Sequence, residues 1–282
     1  MGSKTTLTTA NFWKIAVNST AGFLLAFFFV FYLNHFINIL TAGIFGFPIS
    51  FDFKVIYYNI EPYQWTPDAV KMIFSAGPIL IFIFGMISLI AFFSLTEEEA
   101  RVKIFFLWMV LIALNYFLGG LMIGNIFKKG VGHVFNWMYF TDTQKMIIAI
   151  MGFFGLVSTG ILMAKPVAHS ANSYFKSLSE NNFPFFFTAQ IIVPFILGNL
   201  LVFIYFYPDI LYNNEILFYE RFGGISMFLV LLLIFGRINH FETIYFDEED
   251  RKISISWVML SLAVFFLLLI RIGLGRTYLI QW

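Results

Sequence analysis

Cysteine is absent from this 282-residue chain, which excludes disulfides, thiolate metal sites and a cysteine nucleophile. Charge is scarce as well. Asp, Glu, Lys and Arg make up only 12% of the residues and the net charge is +1, against about 25% charged residues in ordinary soluble domains. No basic surface therefore points to nucleic acid. No Asp or Glu lies centrally in any long apolar run, so the midplane carboxylates that serve proton- or cation-coupled transporters are missing. A repeat of 20 to 50 residues is not visible, nor is the inverted duplication of many secondary transporters. No cleavable signal peptide is evident either, because the first apolar run begins near Phe12 and continues well past the length of an h-region.

What the chain does have is apolar length. Hydrophobic residues reach 60%, mean hydropathy is +0.84, and 40 residues are Phe. A bilayer-spanning helix needs about 20 mostly apolar residues, and such stretches occur near 17–40, 72–95, 103–125, 145–164, 185–207, 222–237 and 253–274. The expected fold is an all-α polytopic membrane protein of about seven transmembrane helices, within a range of six to eight, because the sixth run is short. The whole chain, 1–282, reads as one transmembrane domain. Lys and Arg divide almost evenly between the two faces of such a topology, so the positive-inside rule gives no orientation. The richness in Phe, Ile, Asn and Lys fits an AT-rich coding sequence and a bacterial inner (cytoplasmic) membrane.

Between the spans, Ile49-Ser50-Phe51-Asp52-Phe53-Lys54-Val55 alternates with the period of a strand, which predicts a short interfacial hairpin or strand after the first helix. Glycines at Gly119-Gly120, Gly130 and Gly132 predict a third span that is broken rather than straight. Two acidic loops, Thr96–Arg101 and Asp247–Lys252, read as solvated turns on one face. The opening Met1-Gly2-Ser3-Lys4-Thr5-Thr6 matches the short myristoylation pattern, a match loose enough to arise by chance. Tyr and Trp near span ends, such as Tyr57, Trp65, Trp137 and Trp282, fit an interfacial belt.

Polar groups inside a bilayer are costly and become functional candidates by default. His35 and Asn38 lie one turn apart near the end of the first span, Asn115 lies within the third, and His133 follows the glycine break. These four form the candidate polar site. Gln190 and Asn199 read as interhelical hydrogen-bonding groups and Arg271 as an interfacial cation. The four histidines, His35, His133, His169 and His240, include no pair at four-residue spacing. No metal site is expected, and zinc would have to be held by His35 and His133 from separate segments.

The run Leu33-Asn34-His35-Phe36-Ile37-Asn38-Ile39-Leu40-Thr41-Ala42-Gly43 resembles the first core helix of site-2-protease-type intramembrane metalloproteases. Ser75-Ala76-Gly77-Pro78 resembles the Ala-Gly-Pro opening of that family's second core helix. Leu114-Asn115-Tyr116-Phe117 and Gly130-Val131-Gly132-His133 stand where the family has an Asn-Leu-Leu-Pro segment followed by Asp-Gly. The resemblance covers roughly residues 30–140, leaving 141–282 as additional helices. With His35 aligned to the first motif histidine, Phe36 replaces the general-base Glu, Ile39 the second His, and Val131 the metal-binding Asp. Loss of a general base alone typically costs about 10²–10⁴ in rate, and without the other ligands the metal goes too.

The resemblance thus implies a pseudoenzyme, and the expectation is a non-catalytic membrane subunit or pseudoprotease-like scaffold. It would bind membrane lipids or a partner protein's membrane segment within a larger complex, without a cofactor. The alternatives are an intramembrane zinc protease with unconventional ligands and a small transporter of an apolar substrate.

Overall fold

The computed structural model describes residues 7–95, 100–212, 215–238, 243–246 and 253–282. The myristoylation-like hexapeptide, most of both acidic loops and His240 lie outside the described residues. Among the described residues five helices are long and apolar enough to cross a membrane: Thr9–Ile44, Pro67–Ser94, Val102–Phe127, Asp142–Ser173 and Phe183–Phe206. Two shorter apolar helices, Phe222–Arg237 and Trp257–Gly273, complete the set. The chain is an all-α polytopic membrane protein, and these seven apolar segments coincide with the seven hydropathy runs.

Helix α1 (Thr9–Ile44) starts where the Thr8 side chain accepts from Asn11 N–H at 3.2 Å, and it ends at Gly46, whose φ of +65° takes the left-handed conformation that glycine tolerates. A hairpin follows, with β1 (Ile49–Phe51) antiparallel to β2 (Ile56–Tyr58) and Ile49 opposite Tyr58. Helix α2 (Pro67–Ser94) opens on the Thr66 cap with Pro67 in its first turn. The third span is α3 (Ala100–Leu114), a π-helical turn at Asn115–Gly119, and α4 (Gly120–Phe127). It ends in an elbow leading to the short α5 (Gly132–Trp137), so the glycine-marked break is present.

Helix α6 (Asp142–His169) begins with a capping box in which the Thr141 hydroxyl and the Gln144 side chain exchange backbone hydrogen bonds. Strand β3 (Ser177–Leu178), α7 (Phe183–Phe187), a second π-helical turn and α8 (Val193–Phe206) come next. Helix α9 (Glu215–Ile238), β4 (Ile244–Tyr245), α10 (Trp257–Gly273) and β5 (Tyr278–Ile280) close the chain. Strand β5 pairs antiparallel with β1, giving a three-stranded sheet in the order β2-β1-β5, and β3 pairs with β4 near the opposite ends of the helices.

Outward faces are apolar. Ile79, Ile83, Ile87 and Ile90 on α2, Ile147, Ile150 and Phe154 on α6, and Val258, Phe265, Leu269 and Ile272 on α10 are all exposed. Such continuous stripes suit lipid, not water. Lipid offers helices little hydrophobic reason to associate, so close packing and interhelical hydrogen bonds must hold them. Accordingly, the buried Trp108 indole N–H of α3 donates to Ser19 Oγ of α1 at 2.8 Å, and Ser19 Oγ–H donates to the Gln190 carbonyl. Asn18 donates to Ser254 O at 2.9 Å and accepts from Ser256 N–H at 2.7 Å, fastening α1 to the start of α10. The Gln190 amide donates in turn to Ser170 Oγ at 3.2 Å.

The hairpin face carries its own clamps. Arg271 lies with its guanidinium 4.0 Å from the centre of the Phe53 ring and donates to Tyr205 O at 3.1 Å, so it joins α10, α8 and the hairpin. Lys54 pairs with Asp209 at 2.6 Å. The sheet, the elbow and the ends of α1, α8 and α10 therefore lie at one boundary of the helical bundle.

Candidate functional site

A cavity of about 520 Å³ opens beside the hairpin, between the second half of α1, the first half of α2, β2 and the α4–α5 elbow. Its size falls in the range of about 300–1,000 Å³ usual for small-molecule sites. Tyr57, Tyr58 and Trp65 line it on the hairpin side, Lys129, Gly130 and Trp137 on the elbow side, and Asn34, Pro78, Tyr116 and Gly120 at depth. Asn34 is ten residues from the end of α1 and Pro78 eleven from the start of α2. At 1.5 Å rise per residue, the floor lies about 15 Å below the helix ends, close to the middle of a hydrocarbon layer about 30 Å thick.

Local sequence builds this hollow in two places. At the elbow, Lys128 takes a left-handed φ of +57° and Gly130 one of +51°, which turns the chain back on itself. Gly132 then sits directly against the carbonyl of Gly124, where a Cβ would collide, and a Cβ on Gly124 would lie 2.8 Å from Lys129 O. Two glycine backbones in contact thus hold the wall in place. Across the cavity, Gly77 of the Ala-Gly-Pro stretch makes room for the Asn34 amide, which a Cβ would overlap. Pro78, one residue on, supplies no N–H to its helix.

The side chains of Asn34 and Asn38 are the polar floor. They are 5% and 6% exposed, both line the cavity, and Asn38 Oδ1 has no hydrogen-bond partner within the described residues. Asn38 Oδ1 is wholly enclosed, and an amide without a partner at this depth costs several kcal/mol by the reckoning of water-to-hydrocarbon transfer. The walls are aromatic: Tyr58, Trp65 and Phe74 form a tilted and edge-to-face cluster, and the His133 ring lies 4.9 Å from that of Phe74. No Asp or Glu is among the lining residues.

The four candidate residues are not brought together. Asn38 and His133 line the cavity, on α1 and the elbow respectively. His35 does not line it; the ring is 3% exposed, 5.0 Å from that of Phe31 and 6.1 Å from that of Tyr32, with both nitrogens outside hydrogen-bonding geometry. The Val55 backbone on the hairpin lies close to the ring. Asn115 faces α9, donating to Gly223 O at 3.1 Å and accepting from Ser226 Oγ at 2.8 Å. Its neighbour Tyr116 is the one that reaches the cavity.

The residue missed as a partner for Asn38 is Asn34. Residues four apart on a helix are offset by about 40° and residues three apart by about 60°, so the 34/38 pair shares a face more closely than 35/38. Among the described residues no three His, Asp or Glu side chains stand where they could jointly hold a metal ion. His133 lines the cavity and His35 does not. No family model, curated protein or solved structure matches the chain.

Proposed function

We propose that this protein is a non-catalytic integral membrane scaffold whose hairpin-side cavity holds an amphiphilic molecule drawn from the bilayer. The carrying observation is the cavity itself: about 520 Å³, aromatic-walled, floored by the two amides of Asn34 and Asn38, and lined by no carboxylate. Amides bind by hydrogen bonds and are poor proton acceptors, so the floor is suited to recognition and not to general-base chemistry. A partner's transmembrane helix, about 10–12 Å across with its side chains, would fill a volume of this size with little more than one turn. A lipid-like molecule fits it better.

The reading agrees with the pseudoprotease resemblance over residues 30–140, in which the catalytic Glu, the second His and the Asp are replaced by Phe36, Ile39 and Val131. We also place the protein in a bacterial cytoplasmic membrane as a subunit of a larger assembly, on its composition and its nearly all-membrane mass.

The test is purification from native membranes in a mild detergent, followed by solvent extraction, metal analysis and incubation with membrane-segment peptides. The expected result is close to one equivalent of a bound amphiphile per chain, co-purifying membrane proteins, and no peptide cleavage. Stoichiometric zinc together with cleavage that is lost in His35→Ala would overturn it in favour of an unconventional protease.

A further inference from the structure

We infer that the ligand of this cavity is an uncharged amphiphile bound head-inward, with a hydroxyl or ketone oxygen accepting from the Asn34 and Asn38 amides and its tail leaving through the mouth of the cavity. This rests on the proposed amphiphile-binding role and adds the chemical class and the direction of entry.

Three observations carry it. The amide side chains of Asn38 and Asn34 lie at the deep end, about 9 and 15 Å below the end of α1, and Asn38 Oδ1 has no hydrogen-bond partner among the described residues. An ordinary tail-inward lipid would press hydrocarbon against two amides and leave them unsatisfied, which is the costly arrangement. A head-inward molecule sets a neutral oxygen where it can accept from their N–H groups.

Charge decides the second point. The floor offers amides alone, and the Lys129 ammonium belongs to the elbow, nearer the helix ends. A phosphate driven to the floor would be desolvated without a cation beside it, a penalty of several kcal/mol per ion in proteins. The amides can both donate and accept, so a neutral oxygen-bearing head meets them without that penalty.

The third point is the wall. Tyr58, Trp65 and Phe74 present flat aromatic surface above the floor. Flat apolar surface of this kind accepts a ring or a compact glycerol-sized head, then an alkyl or isoprenoid tail. A neutral acceptor oxygen on such a head exists in two sources, a quinone with a short tail and a monoacylglycerol.

The experiment uses the full chain in phosphatidylcholine nanodiscs and reads tryptophan fluorescence, since Trp65 and Trp137 both line the cavity. Three probes are titrated: decylubiquinone, a monoacylglycerol with a brominated chain, and a phosphatidylglycerol with brominated chains. Saturable quenching by the quinone or the monoacylglycerol is expected, and whichever saturates identifies the source.

Asn38→Leu should weaken that binding about tenfold or more, the worth of one to two hydrogen bonds, whereas Lys129→Met should change it less than twofold. Because Asn38→Leu also alters packing against α2, Val131→Phe provides a second variant that fills the cavity from the elbow, leaves both amides in place and adds no tryptophan. It should abolish saturation. Saturable binding of phosphatidylglycerol alone, lost in Lys129→Met and kept in Asn38→Leu, would overturn the head-inward inference while leaving the amphiphile-binding role standing. Saturation by none of the three would remove both.

Discussion

Substituting the glycines around the elbow distinguishes a wall held by backbone contact from one that is merely a convenient turn. In Gly132→Ala the new Cβ would fall on the Gly124 carbonyl and 3.3 Å from Asn125 N, and neither atom belongs to a side chain that can rotate away. Overpacking of this kind costs typically about 1–3 kcal/mol. In Gly130→Ala nothing lies within 4 Å of the new Cβ, so only the left-handed φ of +51° opposes it, at about 1–2 kcal/mol.

Gly236→Ala in α9 meets neither obstacle, and a freely accommodated alanine should stabilise by about 0.4–1 kcal/mol. Using roughly 2–4 °C per kcal/mol for a chain of this size, Gly132→Ala should lower the thermal midpoint in nanodiscs by about 2–12 °C. Gly130→Ala should fall between it and the wild type, and Gly236→Ala should match or exceed the wild type. Tryptophan quenching by the bound probe should weaken in the same order, because residues 129–131 and 133 line the cavity. A Gly132→Ala protein as stable as the wild type, or more stable than Gly130→Ala, would refute the backbone-contact account of the elbow.

Other outcomes follow from the packing. Ser19→Ala removes the acceptor of the buried Trp108 N–H and should destabilise by about 1–3 kcal/mol; Trp108→Phe in the same background should recover part of that loss, and differential scanning fluorimetry reads both. Arg271→Lys keeps the charge but loses the planar stack on Phe53 and the bond to Tyr205 O; at this exposed position a loss of about 0.5–1 kcal/mol is expected, measurable as a lower thermal midpoint. Chelator treatment should leave the thermal midpoint unchanged and elemental analysis should find less than a tenth of a zinc per chain, since His35 and His133 face different surroundings. A chelator-induced drop in the midpoint would contradict this.

The spans were legible because long apolar runs have one cheap environment, lipid, and one cheap backbone, the helix. Local chemistry also wrote the hairpin into Ile49–Val55 and the break into the glycines at 119, 120, 130 and 132. The site was harder. Residues 35 and 38 were expected on one face, yet the cavity takes 34 and 38, and a difference of some tens of degrees around a helix depends on which neighbour packs against it. Here that neighbour is Gly77, whose missing side chain draws the Asn34 amide in. Asn115 was drawn to α9 by the carbonyl of Gly223, a residue 108 positions away. Strand β5 escaped notice altogether, because Tyr-Leu-Ile acquires strand character only when β1 offers it an edge.

That last pairing bears on biogenesis. Strand β1 emerges directly after the first membrane helix, whereas its second partner comes at residues 278–280, after every other span. Throughout synthesis one edge of β1 must wait with its amide and carbonyl groups unanswered at the bilayer surface. Completion of the sheet therefore waits for α10 to arrive in register, and a ribosome stalled before that point would leave β1 without its second partner.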